Sequence, residues 1–192
     1  MMPMTVAPST RERIVEAAVA MTTESGWSAV TMGSVADRVG VSRQTVYNEV
    51  GSKEGLDEAV ILRELARFLE VVSVAFDRHP DDLVDAVRAA TYGVLELAQD
   101  NKLLHAVVSA THGADTELLP LLTTHSHSLL AVAKQVVTDR VTPYDIGIDA
   151  EHLDVAIDVV VRVVLSHVMQ PTGRPAETAD GIAWLAGRAL RG

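Results

Sequence analysis

The feature that most limits what this chain can become is a short run near its start, from Thr31 to Glu49. Met32, Val35, Ala36 and Val39 repeat the i, i+3, i+4, i+7 spacing of one buried helical face, over the length of a single short helix. Gly40 follows where a left-handed residue is needed to stop that helix, and Val41 can turn inward across the break. Ser42 is then a good N-cap for the next helix, Arg43 to Glu49. Two short amphipathic helices joined by a glycine turn form a helix-turn-helix. Gly51-Ser52 breaks the chain again, and Ser52 can cap a long helix from Lys53 to about Asp77.

Helical patterning continues on both sides. Upstream, Ile14, Ala17, Ala18 and Met21 make an apolar stripe over Arg11 to Ser25, with Ser9 or Thr10 as cap and Gly26 as stop. Downstream, His79-Pro80-Asp81-Asp82 reads as a stop followed by a start, with Pro80 at an early helical position and acids in the first turn. Further helices are expected over 81–99, 102–111, 116–140, 149–169 and 176–190, with Pro120 in a first turn or at a kink. There are no convincing period-2 strands and no internal repeats, so the fold class is all-α.

Composition bounds the function. The chain has 192 residues, 48% of them apolar but few aromatic, so Val, Leu, Ala and Ile must fill a sizeable core. Without cysteine, disulfides, thiolate chemistry and cysteine-based zinc sites are excluded. Met1 to Thr10 lacks the basic and apolar regions of a signal peptide. Leu153 to Met169, interrupted by Asp154, Asp158 and Arg162, is too short and too charged to span a bilayer. A cytoplasmic protein with no membrane partner is expected. No nucleophile elbow or glycine-rich phosphate loop supports an enzyme. The seven histidines all lie after residue 78, and none has the partners of a convincing metal set, so no metal or cofactor is expected.

The net charge of −10 argues at first against DNA as a partner, but its distribution matters more. Residues 1–53 hold five basic and five acidic side chains and are neutral, so all the excess negative charge lies further on. An acidic bulk would turn the neutral end toward DNA. The low basic count predicts modest phosphate affinity per subunit, which dimerisation would have to supplement. In a helix-turn-helix, the leading side chains of the second helix meet base edges in the major groove. Arg43 suits a guanine and Gln44 an adenine, although both residues alone also fit a solvated surface. Thr45 suits a phosphate or a thymine methyl, and the Tyr47 hydroxyl a phosphate oxygen. Lys53 and the backbone N–H groups that open its helix form a natural phosphate site, as Thr31 does at the earlier helix. The DNA-contacting set is therefore Thr31, Ser42, Arg43, Gln44, Thr45, Tyr47 and Lys53.

Residues 11–56 resemble the DNA-binding domain of TetR-type bacterial regulators. The resemblance rests on Arg13-Ile14, Ala17-Ala18, Gly26, Val30-Thr31, Val35-Ala36, Val39-Gly40-Val41-Ser42, Thr45-Val46-Tyr47 and Ser52-Lys53-Glu54-Gly55-Leu56. It implies a three-helix DNA-binding domain, placed here at 1–52, followed by a helical ligand-binding and dimerisation domain over 53–192. It also singles out Tyr47 and Lys53 as phosphate clamps. The family usually has an aromatic or histidine pair after the Tyr-x step, where this chain, running Tyr47-Asn48-Glu49-Val50, has Glu49-Val50. Glu49 puts an acid near the phosphates, so it either faces away from DNA or pairs with a base.

The 149–169 helix carries its polar positions four apart, at Asp154, Asp158, Arg162 and Ser166, and is apolar almost everywhere else. Such a helix must be covered on two sides, most simply by its own domain and by a partner subunit. With the last helix it would form a four-helix interface through Val161, Leu165, Ile182, Leu185, Ala186 and Ala189. A small-molecule pocket is sought near Tyr92, His105, Leu121, His125 and Trp184. The expected function is a homodimeric repressor, released from a near-palindromic operator on double-stranded DNA by a small apolar effector. The alternatives are a ligand-dependent activator, or a helical small-molecule carrier or adaptor without DNA binding.

Overall fold

A computed structural model of the chain describes residues 7–105 and 126–189, and among them every regular element is helical. They fall into two compact units. The first comprises the chain up to Glu64 together with Lys102–His105, and the second comprises residues 65–101 and 126–189.

The first unit contains α1 (Thr10–Ser25), a single 3-10 turn (Trp27–Ala29), α2 (Met32–Val39), α3 (Arg43–Val50) and the first half of α4 (Lys53–Arg78). Its core is the stripe expected from spacing: Ile14, Ala17 and Ala18 of α1 meet Val35 and Ala36 of α2 and Val46 of α3. Leu56, Ala59 and Val60 close this core from α4, and Leu103 joins it from far along the chain. The compact head therefore runs past residue 52, because α4 buries its first two turns there. Each helix start is capped by its own sequence. Ser9 and Glu12 form a capping box on α1, the Ser9 N–H donating to the Glu12 carboxylate at 2.6 Å. That bond, with the Ser9 hydroxyl, holds the Glu12 carboxyl below its ordinary range. Thr31 and Ser34 form a second box on α2.

The second unit holds the rest of α4, α5 (Leu83–Gln99), α6 (Ser126–Val141), α7 (Ala150–Met169) and α8 (Pro175–Ala189). Pro80 lies in the turn before α5 rather than inside it, since Asp82 is the N-cap and accepts from the Asp85 N–H at 3.0 Å. Glycines let helices approach: a Cβ on Gly93 would lie 2.6 Å from the Val71 side chain, and one on Gly187 3.2 Å from Val84. Tyr144 fastens the end of α4, its hydroxyl donating to the His79 carbonyl at 2.7 Å and its ring meeting Phe76 edge-on. Burial raises the Tyr144 pKa. Of the expected 102–111 and 116–140 helices, the described parts are Lys102–His105 and Ser126–Val141. Pro120, Leu121 and His125 lie outside the described residues. No described helix is long and apolar enough to cross a membrane.

Candidate nucleic-acid interface

The turn between α2 and α3 is built from local chemistry. Gly40 adopts φ 76° and ψ 38°, the left-handed conformation that a side chain disfavours. Its N–H and that of Val41 both donate to the Ala36 carbonyl, at 2.9 and 3.0 Å. Ser42 then caps α3, accepting from the Thr45 N–H at 3.0 Å. Val46 and Val50 bury one side of α3 in the head core. On a helix of 3.6 residues per turn this leaves Arg43, Gln44, Tyr47 and Asn48 together on the exposed side.

These four side chains are organised in two pairs one turn apart. The Arg43 guanidinium lies 5.6 Å from the centre of the Tyr47 ring and donates to its hydroxyl at 3.4 Å. Gln44 donates through Nε2 to Asn48 Oδ1 at 2.9 Å. Arg43, Gln44 and Tyr47 were expected on this face, but Asn48 was not singled out. Its position four residues after Gln44 is the signal that could have found it. The hydroxyls of Thr31, Ser42 and Thr45 are engaged in holding helix starts: Thr31 with Ser34, and Ser42 with Thr45 at 2.8 Å. Lys53 is half-buried with its ammonium 5.7 Å from the Trp27 ring centre. An ammonium set over an aromatic face is held in place there, which suits a phosphate clamp.

Three basic side chains of the head have jobs that sequence reasoning missed. Arg13 donates to the Val39 carbonyl at the end of α2 at 2.7 Å, and Arg11 donates to the Glu49 carbonyl at the end of α3. Positive charge at a helix C-terminus is favourable, so α1 holds both later helices by their ends. Arg38 grips both carboxylate oxygens of Glu24, at 2.6 and 2.7 Å, which lowers the Glu24 pKa and raises its own. These are contacts across 14 to 38 residues, invisible to periodicity. Glu49 is half-buried beside this Arg11 contact. The junction between α3 and α4 is equally tight, since a Cβ on Gly55 would lie 2.1 Å from the Val50 carbonyl oxygen.

In the second unit, α5, α6, α7 and α8 enclose an apolar groove of about 350 Å³. Its rim is exposed at Val155, Val159 and Leu185, and its floor includes the less exposed Leu83, Val87 and Val141. His152 is its ionisable lining residue and is held at the start of α7 by Asp149, which caps the helix. Of the residues sought for a pocket, Tyr92 is exposed and bonded to Glu96 at 2.6 Å, and His105 is exposed in the first unit. Trp184 does not line the groove. Ile182, Ala183, Ala186 and Gly187 turn inward on α8, so Trp184 lies on the outer side, 63% exposed, with Arg188 over its ring. For the same reason the six residues named for a subunit interface divide. Val161, Ile182 and Ala186 are buried within their own unit, whereas Leu165, Leu185 and Ala189 face outward.

Comparison with known proteins agrees with this architecture. Residues 14–60 match the model described as bacterial regulatory proteins, tetR family, and residues 82–188 match the one described as bacterial tetracyclin repressor, C-terminal domain. The chain is similar to the HTH-type transcriptional regulator AlkX of Mycobacterium tuberculosis, with 28% identity over 94% of this chain and 90% of that one. It is similar in structure to the TetR family repressor AlkX from Dietzia sp. strain DQ12-45-1b, with 28% identity and a TM-score of 0.75 over 95% of this chain and 96% of that one. A transcriptional regulator from Rhodococcus sp. RHA1, at 17% identity, shares the fold with a TM-score of 0.63 over 95% and 97% of the two chains.

Proposed function

The chain belongs to the TetR family of bacterial DNA-binding transcriptional regulators, and from that premise we propose that it is a homodimeric repressor, released from a near-palindromic operator by a small apolar effector. The observation that carries this reading is the outer face of α3. Arg43, Gln44 and Tyr47 stand exposed on a capped helix whose opposite face is fixed in the head core. In the major groove Arg43 would bond a guanine and Gln44 an adenine, with Tyr47, Lys53, Thr31 and Thr45 placed along the phosphates. Two heads would read half-sites about one helical turn apart, roughly 34 Å.

The dimer is supported by what the second unit leaves uncovered. Val155, Val159 and Leu165 on α7, with Trp184 and Leu185 on α8, are large apolar side chains between 40% and 63% exposed. An aromatic anchor among aliphatic neighbours is the composition of an energetic centre in a protein interface. A second subunit covering these residues would also roof the groove and leave its floor for the effector. The groove's apolar lining supports an uncharged, chain-like ligand. The Dietzia relative, implicated in biodegradation of n-alkanes, favours the same chemical class.

A mobility-shift titration with DNA flanking the chain's own gene, with and without a medium-length n-alkane, tests the reading. The expected result is preferential binding of that DNA over random DNA, released by the alkane. Arg43→Ala should narrow the preference, while Lys53→Ala should weaken binding to both DNAs and flatten its salt dependence. Binding that strengthens with the alkane would make the chain a ligand-dependent binder instead. Absence of any DNA preference would remove the proposal.

A further inference from the structure

We propose that Asn48 is a positioning residue that restricts Gln44 to adenine by occupying one of its two amide hydrogens. The inference rests on the reading above in which Gln44 meets a base. A glutamine amide offers two N–H donors and one carbonyl acceptor. Here Gln44 Nε2 donates to Asn48 Oδ1 at 2.9 Å, one helical turn further on and on the same exposed face. One donor and the Oε1 acceptor then remain to face DNA.

That remainder matches adenine and not guanine. Adenine presents an acceptor at N7 and a donor at N6 in the major groove, whereas guanine presents acceptors at both N7 and O6. With one hydrogen held by Asn48, Gln44 satisfies both adenine groups but meets only one guanine acceptor, and its Oε1 opposes the other. Without Asn48 both hydrogens are available and the amide can turn to donate twice. The discrimination therefore belongs to the Gln44–Asn48 pair.

The experiment is selection from a random DNA library by the full-length protein, in four forms: wild type, Gln44→Ala, Asn48→Ala and Asn48→Asp. The position that loses its base preference in Gln44→Ala is the one Gln44 reads. At that position the wild type should select adenine, and Asn48→Ala should lower the adenine-to-guanine ratio about tenfold. Asn48→Asp keeps the acceptor oxygen, so it should retain the ratio while its charge weakens binding to every sequence. Three results would overturn the proposal. Asn48→Ala could leave the ratio intact or change a different position only. The wild type could select guanine at the Gln44 position, which would mean the two amides are bonded the other way round. Gln44→Ala could alter no position, which would instead remove the underlying assignment of Gln44 to a base.

Discussion

The head and the helical body of this chain solve the burial of apolar residues differently. In the head, Ile14, Ala18, Val30, Val35, Val46 and Leu56 are all fully buried by neighbours from the same chain. In the body, α7 buries Ile157, Val161 and Val168 on one side yet leaves Val155, 57% exposed, and Val159 on the other. A small domain with a closed core is rigid enough to present side chains in a fixed register. A contiguous face of uncovered valines, leucines and a tryptophan is the kind of surface that marks an interaction site. The difference teaches that the core of the head is closed by its own chain, while the body leaves a broad apolar face uncovered.

The largest effect that should separate the two regions comes from the head core. Ile14→Ala removes a fully buried side chain and should cost about 2–5 kcal/mol, seen as a lower urea midpoint for the head and loss of DNA binding. Gly55→Ala forces a methyl group onto the Val50 carbonyl and should cost about 1–3 kcal/mol, with DNA affinity falling alongside. In the body, Val159→Ala should change subunit stability by less than about 0.5 kcal/mol, because the side chain is exposed. It should instead weaken self-association in sedimentation equilibrium. A large stability loss with no change in association would break the comparison.

Acid gives the smallest effect and should touch both regions alike. Glu24 is held below its ordinary range by Arg38, and Asp158 by Arg162 and then Lys134. Their folded-state pKa values are depressed, so their stabilisation is present above the unfolded carboxylate range, about pH 4, and fades as pH falls through the lower folded values. Glu24→Gln and Asp158→Asn should each flatten the acid limb of the unfolding midpoint slightly. An acid limb unchanged in both would remove these ion pairs as contributors.

Most of the head was legible because its rules are short-range. Caps act over three residues, as Ser42 does on Thr45, and the apolar stripe of α1 repeats within a few turns. The contacts of Arg11 and Arg13 were not legible, since nothing in an isolated arginine says that a distant carbonyl awaits it. The body was legible as helices but not as faces. Periodicity shows that α8 has an apolar side without saying whether α5 or another molecule covers it, so it does not tell that Ile182 and Ala186 turn inward and Trp184 outward. Which way a helix rolls depends on close approaches such as Gly187 to Val84, and these emerge only from three-dimensional packing.

The meeting of Gly55 with the Val50 carbonyl has a mechanical corollary. The two helices meet there with no room for a side chain, so a tilt of the opening turn of α4 bears directly on the end of α3. In the dimer proposed above, release from DNA would then come from a change in the spacing or angle of two intact blocks, much as a caliper is opened without bending its jaws.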